Sequence, residues 1–147
     1  MLWTMHIKLV TGRWAEKDWG ATVALDAAST LADVHGVIQQ AVEFDNDHLY
    51  GFFVARTPRS RDRVRYDGED DYGRADDTLV TTTLESLFPL PKDRRLFYLF
   101  DYGDSWIFEI SRTRKKPFEA ASDEDYPCLI SEHGDKPQQY PESDFGI

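Results

Sequence analysis

Apolar and polar residues alternate at the start of the chain, as in a strand with one buried face. One side of the segment Leu2 to Val10 carries four large apolar residues: Trp3, Met5, Ile7 and Leu9. This segment is therefore predicted to be a half-buried β-strand. A polar turn over residues 11–18 follows, and the short apolar segment Ala21 to Leu25 predicts a second strand that pairs with the first as a hairpin.

The apolar period then changes to that of a helix. Between Leu31 and Phe44 the apolar residues fall at the spacing of one helical face, and they are Leu31, Val34, Ile38, Ala41 and Val42. Thr30 and Asp33 form a capping-box pattern, since the threonine hydroxyl can accept from a free backbone N–H and the aspartate can reach back. The polar residues 45–47 end the predicted helix.

The second half of the chain holds a charged loop and an aromatic hairpin. Leu49 to Ala55 predicts a third strand, and residues 56–78 form a charged loop with a short strand candidate at 64–66. A capping pattern at Thr82 and Glu85 predicts a helix of one or two turns. The segment RLFYLFDYGDSWIFE, residues 95–109, predicts two aromatic strands around a tight turn.

This order of elements predicts an α+β fold. We expect a mixed β-sheet with one long helix packed on a face, a β-grasp-like arrangement, and a short second helix. The tail, residues 117–147, contains four prolines and little periodicity, so it is predicted to be irregular. A chain of 147 residues fits one domain, residues 1–147.

The acidic charge of the chain argues against nucleic-acid binding. With 17 basic and 27 acidic residues the formal net charge is −10, whereas non-specific nucleic-acid binding depends on basic residues that neutralise phosphates. Two basic runs, Arg56 to Arg65 and Arg112 to Lys116, keep a nucleic-acid-associated role in a mobile element as an alternative. One cysteine, Cys128, no signal peptide and no membrane-spanning apolar run predict a cytoplasmic protein without a membrane partner.

The turn between the two aromatic strands carries the first candidate site. Asp101 and Asp104 are expected to lie close together beside the rings of Tyr102 and Trp106. A partly desolvated carboxylate pair there can act as acid and base or bind a cation. The alternative is structural, because Gly103 can supply a positive φ and both aspartates can accept from backbone N–H groups of the turn.

A second polar group lies between the predicted helix and the third strand. It contains Asp45, Asp47, His48 and Tyr50, and His48 is either a proton carrier or a residue that bonds to backbone. No metal site and no cofactor are predicted, because catalytic zinc takes three protein ligands and the other histidines are distant in sequence: His6, His35 and His133.

Known catalytic and ligand signatures are absent from the sequence. The acidic run Asp67 to Asp77 fails as a calcium loop, because its sixth residue is Tyr72 and its twelfth is Thr78. No Walker, dinucleotide-binding or nucleophile-elbow motif occurs. Cys128 lies in an apolar cluster and is expected to be a small buried residue, although a pair with His133 stays open.

Several segments, taken in order, resemble the plasmid pRiA ORF-three-like family. Residues 30–41 resemble its T-L-x-x-L-H-x-V-I-Q-x-A block, and residues 45–52 its D-x-H-L-H-x-F block. Residues 100–110 resemble the specific block Y-D-F-G-D-x-W-x-H-x-I. Residues 126–128 match Y-P-x-C, and residues 140–146 match the family's final motif more loosely.

The chain also departs from that pattern. Tyr50 replaces the second histidine of H-L-H, Phe108 replaces the histidine after the tryptophan, and the final cysteine has no counterpart beside Phe145. If relatives use those residues for metal binding or chemistry, this chain has lost much of the set. If they only pack, tyrosine and phenylalanine suit a pleated surface. The resemblance implies no established activity.

Together these observations favour a binding or interaction module without catalysis, whose partner is a protein or a small ligand. Its surface is expected at Asp101, Asp104 and Trp106, with Tyr50 and Tyr102 as further ligand-binding candidates. The enzyme alternative uses Asp101, Asp104 and His48 as the acid/base set, with Tyr50 orienting. It requires His48 and the turn carboxylates of Asp101 and Asp104 to meet across neighbouring strands. Exposed aromatic strand faces leave a homodimer open.

Overall fold

A computed structural model describes residues 1–69 and 72–140, and in this part of the chain seven strands form one antiparallel sheet. The strands are β1 (Leu2–Thr11), β2 (Trp19–Asp26), β3 (Tyr50–Ala55), β4 (Arg63–Tyr66), β5 (Arg95–Phe100), β6 (Trp106–Arg112) and β7 (Cys128–Gly134). Their order across the sheet is β4-β3-β5-β6-β1-β2-β7. Three helices lie between them: α1 (Leu31–Val42), α2 (Thr78–Thr81) and α3 (Leu84–Leu87).

The main core lies on one face of this sheet. The alternation predicted for β1 holds, since Met5, Ile7 and Leu9 are buried on the same side. They meet buried aromatic residues of the β5–β6 hairpin, among them Tyr98 and Phe108. A smaller apolar cluster on the opposite face contains Phe53, Ala55 and Phe97.

Helix α1 begins with the predicted capping box. Asp33 N–H donates to Thr30 Oγ1 at 3.2 Å, and Thr30 N–H donates to Asp33 Oδ2 at 2.9 Å. The helix ends at Val42 rather than Phe44, because Glu43 adopts a left-handed conformation and caps the helix. Its buried apolar residues join the main core.

The predicted fold class is wrong. The pairing is antiparallel throughout the described strands, so the sheet is not mixed and the order is not that of a β-grasp. The helices have 12, 4 and 4 residues, and none is the long helix that we expected on one face. Three of the six neighbouring pairs of described strands, β1–β2, β3–β4 and β5–β6, are consecutive in sequence and form hairpins, which need no helical crossover.

Two further expectations need correction. Residues 128–134 of the tail are not irregular but form β7, an edge strand that pairs with β2. Its side chains are mostly exposed, so the strand is held by backbone pairing with β2. For the same reason its sequence shows no alternation of apolar and polar residues. Helix α3 is capped by Thr83 and Ser86, not by Thr82 and Glu85.

No helix in residues 1–69 and 72–140 is long and apolar enough to cross a membrane.

Candidate functional site

The turn after β5 is shaped by Asp101. Asp101 has a φ of 59°, and its Oδ1 accepts from the N–H groups of Gly103 at 3.2 Å and Asp104 at 3.3 Å. The positive φ falls on Asp101 and on Ser105 (φ 51°), not on Gly103 as predicted. Aspartate tolerates the left-handed region because its side chain bonds locally.

The same residue ties the turn to the start of β3. Asp101 N–H donates to the Leu49 carbonyl oxygen at 3.0 Å. This backbone bond brings the neighbouring His48 over the turn, with its Nε2 3.4 Å from Asp101 Oδ2. The Asp101 side chain is only 10% exposed, whereas that of His48 is 37% exposed. Of the two contacts across neighbouring strands that the enzyme alternative required, the one between His48 and Asp101 is present, whereas Asp104 faces Arg13.

Two residues of the tail complete the group. Gln139 Nε2 donates to Asp47 Oδ1 at 2.9 Å, and Asp45 N–H donates to Gln139 Oε1 at 2.7 Å. Tyr140 Oη lies 2.5 Å from His48 Nε2 and donates to Asp47 Oδ2 at 3.3 Å. Asp47, His48, Asp101, Gln139 and Tyr140 are called the His48 cluster below.

Sequence reasoning missed Gln139 and Tyr140. Both lie 92 or more residues beyond their partners in the chain, and Gln139 belongs to no motif. Tyr140 opens the loosely matched final motif, and that match was the one available signal. The rest of that motif, residues 141–146, lies outside the described residues.

The cluster is electrostatically acidic. Desolvation acts to raise the pKa of Asp47, but hydrogen bonds from Gln139 and Tyr140 and the nearby His48 together hold it below the usual range. Desolvation and the neighbouring Asp47 carboxylate raise the pKa of Tyr140. Asp47 therefore stays ionised and Tyr140 keeps its proton at neutral pH. In the described part of the chain, no lysine or arginine pairs with Asp47 or Asp101.

The other predicted site residues lie apart from the cluster. Asp104 Oδ1 faces Arg13 Nη1 at 3.6 Å. Trp106 has no exposed surface and packs edge-on against Phe44 with ring centroids 5.1 Å apart, so a ligand cannot reach it in this structure. Tyr102 is about half exposed on the turn, and desolvation and nearby acidic residues raise its pKa.

Tyr50 belongs to a layer of packed aromatic rings, formed with His35 and Tyr98, next to the His48 cluster. Its ring stacks on His35 with centroids 3.6 Å apart and planes within 3°. His35 in turn bonds to Tyr98 Oη at 2.5 Å through Nδ1 and to Asn46 Oδ1 at 2.7 Å through Nε2. Tyr50 therefore orients His35 rather than His48.

The two positions at which this chain departs from the histidines of the family pattern, Tyr50 and Phe108, both border Tyr98. Tyr50 and Phe108 both lie 6.0 Å from Tyr98, measured between ring centroids. Here the layer is closed by aromatic packing, because Phe108 and Tyr98 have no exposed surface.

Among the described residues, the His48 cluster holds no metal site, no cysteine–histidine pair and no basic surface. The described residues contain no group of three or more histidine, cysteine or acidic side chains arranged to hold a metal ion. Cys128 begins β7, and His133 of the same strand contacts His6 instead. The two basic runs follow the ends of β3 and β6, at the opposite end of the sheet, where Arg95 Nε donates to the Arg56 carbonyl oxygen.

Comparison with known proteins gives a family and a fold. The model of the plasmid pRiA4b ORF-3-like protein family matches residues 16–144. No curated protein matches the chain. Among solved structures, the chain is similar to the crystal structure of protein of unknown function MM3350 from Methanosarcina mazei Go1. That similarity has a TM-score of 0.68 at 17% identity and covers 89% of this chain and 68% of the other.

Proposed function

The chain belongs to the plasmid pRiA4b ORF-3-like family, as its motifs predicted, and we propose that it is a non-catalytic binding domain. Its site is the His48 cluster. The ligand is a small molecule or a partner protein that presents an ammonium or guanidinium group to the carboxylates of Asp47 and Asp101.

The observation that carries this proposal is the uncompensated charge of the cluster. Asp47 and Asp101 both face His48 Nε2, at 3.5 Å and 3.4 Å, and neither has a lysine or arginine partner among the described residues. Carboxylates at a surface without a basic side chain to balance them attract cations, and charge-assisted hydrogen bonds to carboxylates are the strong ones. The Tyr140 ring adds an aromatic surface next to the charge.

A titration with organic cations tests the proposal. Butylamine, arginine methyl ester and spermidine are added to the protein, and binding is measured by calorimetry and by the shift in melting temperature. We expect binding that weakens with added salt and is lost in Asp47→Asn and Asp101→Asn. Asp123→Asn, which removes one charge from an exposed loop residue, is the matched control and should bind as wild type. Equal binding by all four proteins would overturn the site.

The His48–Asp101 contact supports a second candidate, general acid–base catalysis. A carboxylate beside an imidazole orients the ring and stabilises its protonated form. Asp104 and Tyr50 no longer belong to this alternative, since Arg13 and His35 hold them elsewhere. A screen with acyl and phosphoryl esters would favour it if turnover were lost in both His48→Gln and Asp101→Asn while the variants stayed folded. Turnover that is absent, or unchanged in His48→Gln, would exclude it.

A further inference from the structure

The positive charge of the chain is concentrated in three short segments, residues 56–63, 92–95 and 112–116. They contain 4, 3 and 4 basic residues, which together are 11 of the 17 in the chain. The same segments contain only two acidic residues, Asp62 and Asp93, so 11 positive and 2 negative charges give them a net charge of +9. The net charge of −10 is an average over the whole chain and does not describe these segments.

The sheet brings the three segments to one of its ends. The first links β3 to β4, the second leads into β5, and the third continues from the end of β6. Ala55, the last residue of β3, pairs with Arg63 of β4 and with Arg95 of β5. Leu96 of β5 pairs with Ile110, two residues before the end of β6. These four strands are neighbours in the sheet, so the segments lie side by side across three strand spacings, about 14 Å. This surface is called the basic end below.

Aromatic rings support part of the basic end. Four of its cations lie over rings, and they are Arg63, Arg95, Arg112 and Lys115. The guanidinium carbon of Arg112 is 3.9 Å from the ring centroid of Trp3. A guanidinium stacked on a ring keeps its N–H groups free in its own plane. A side chain that is already held in place also loses less conformational entropy when it binds a ligand.

The basic end is largely free of internal ion pairs. Arg95 pairs with Glu109 at 2.9 Å, and no other basic side chain of the three segments pairs with a carboxylate in the described part of the chain. Arg59 and Arg114 are exposed loop residues of two different segments. The positive charge of this end is therefore available to a partner.

The acidic His48 cluster lies at the other end of the same strands. Tyr50 pairs with Phe100 beside that cluster, and Ala55 pairs with Arg95 at the basic end. Five residue steps along a strand span about 17 Å. This distance exceeds the Debye length, which is about 8–10 Å near physiological ionic strength. The carboxylates of the His48 cluster are therefore largely screened from the basic end.

The composition of the basic end favours the phosphate backbone of a duplex. Eight of its 11 basic residues are arginine, whose planar fork matches phosphate oxygens. The three segments contain no aromatic and no large apolar residue, whereas single strands are bound by stacking bases on aromatic side chains and membrane surfaces by burying apolar ones. Double-stranded DNA carries one charge per about 1.7 Å of its axis, so it presents about eight phosphates along 14 Å.

We propose that the basic end binds double-stranded DNA through its phosphates, without reading the base sequence. This interaction is separate from the His48 cluster and does not depend on the function proposed for that cluster.

The first test uses the full wild-type chain and a fluorescent duplex of mixed sequence, with binding measured by anisotropy. We expect a micromolar dissociation constant at about 50 mM salt. The affinity should fall about 100-fold by about 200 mM salt, as expected when about four phosphates are neutralised. A duplex of shuffled sequence should bind equally well. No binding at the lower salt concentration, or binding that does not change with salt, would overturn the proposal.

Two double variants test whether the basic end makes the contact. Arg59→Gln/Arg61→Gln and Arg114→Gln/Lys116→Gln each remove two exposed charges, from different segments. Each should weaken binding about 10-fold at about 50 mM salt and reduce the slope of log affinity against log salt by about 1–2. Circular dichroism checks that both variants stay folded. Wild-type affinity in both would exclude the basic end as the site.

A matched control removes the same charge at the other end of the sheet. Lys17 precedes β2 and Lys136 follows β7, where Trp19 pairs with Gly134. Lys17→Gln/Lys136→Gln should bind the duplex as wild type does. If this control weakened binding as much as the two double variants, net charge and not the basic end would determine the affinity, and the proposal would be wrong.

Competing ligands separate the duplex from other anionic partners. The single strand of the same sequence, and vesicles of phosphatidylserine and phosphatidylcholine in equal parts, are each measured at the same salt concentration. Both should bind more weakly than the duplex, because the basic end offers no exposed ring for bases and no apolar side chain for lipid. Tighter binding of either ligand would assign the basic end to that partner instead of double-stranded DNA.

Discussion

At the scale of single residues, Asp101 combines a structural and a chemical task. Its Oδ1 holds two backbone N–H groups of the turn, while its Oδ2 faces His48. The backbone also needs a residue that accepts a φ of 59°. These tasks can be separated, because asparagine keeps the oxygen and tolerates the left-handed region but carries no charge.

The first prediction uses this difference. Asp101→Ala should lower the free energy of unfolding by about 1–3 kcal/mol, because it strains the turn and leaves backbone donors unpaired. Asp101→Asn should keep most of that stability and lose only the charge that faces His48. Urea unfolding of both variants measures the difference. Equal losses in the two variants would show that the charge, and not the turn geometry, dominates.

Part of the His48 cluster could be predicted from the sequence, and part could not. His48 and Asp101 stood out as polar residues beside predicted strands. They meet because β3 and β5 are antiparallel neighbours, so the start of one strand lies beside the end of the other. Gln139 and Tyr140 could not be paired with their partners in this way. Their contacts depend on where the tail crosses the sheet, which no local pattern of charge or period records.

At the scale of elements, two glycines lie in opposite surroundings. Gly36 is an exposed position inside α1, and a Cβ there would meet nothing within 4 Å. A Cβ at Gly12, after β1, would lie 2.4 Å from Cε3 of the buried Trp106 ring. That ring has no free space to move into, because Trp106 is completely buried.

The second prediction is therefore a pair of alanine substitutions with opposite signs. Gly36→Ala should raise the free energy of unfolding by about 0.5–1 kcal/mol, because alanine loses less backbone entropy in a helix. Gly12→Ala should lower it by about 1–3 kcal/mol through overpacking. Thermal or urea unfolding compares the two with wild type. A stabilised Gly12→Ala would mean that Trp106 is packed more loosely than the structure indicates.

Elements with a clear period were predictable and the others were not. The periods of β1 and α1, together with the Thr30–Asp33 capping box, indicated both elements close to their observed positions. Strand β7 has no buried face to create a period, so its residues resembled irregular tail. The order of strands in the sheet could not be predicted either. Alternation of apolar and polar residues indicates that a segment is a strand, but not which strands it pairs with. This gap produced the wrong fold class.

At the scale of the whole molecule, stability should depend on a buried histidine network. Asn46 Oδ1 accepts from His35 Nε2, so His35 Nδ1 is the acceptor for the Tyr98 hydroxyl, which in turn accepts from Gln39 Nε2 at 3.0 Å. Neutral His35 thus has both nitrogens satisfied. Burial lowers the pKa of His35 below 6.5, against a smaller opposing effect of the Asn46 hydrogen bond.

The third prediction follows from the sign of that shift. Below pH 6.5 the unfolded chain takes up a proton at residue 35 more readily than the folded chain, so acid favours unfolding. Stability should be retained above this pH and should fall as the pH drops toward 5, with a contribution from His35 of at most about 1.4 kcal/mol per pH unit.

Urea unfolding between pH 5 and 8 measures this dependence. His35→Gln should be less stable at neutral pH, because the Tyr98 and Asn46 bonds are disturbed, but its stability should change less with pH. Gly36→Ala lies on the same helix and adds no titrating group. It should raise the free energy of unfolding at every pH and keep the wild-type slope of stability against pH. If His35→Gln also kept the wild-type slope, the pH dependence would come from groups other than the buried network.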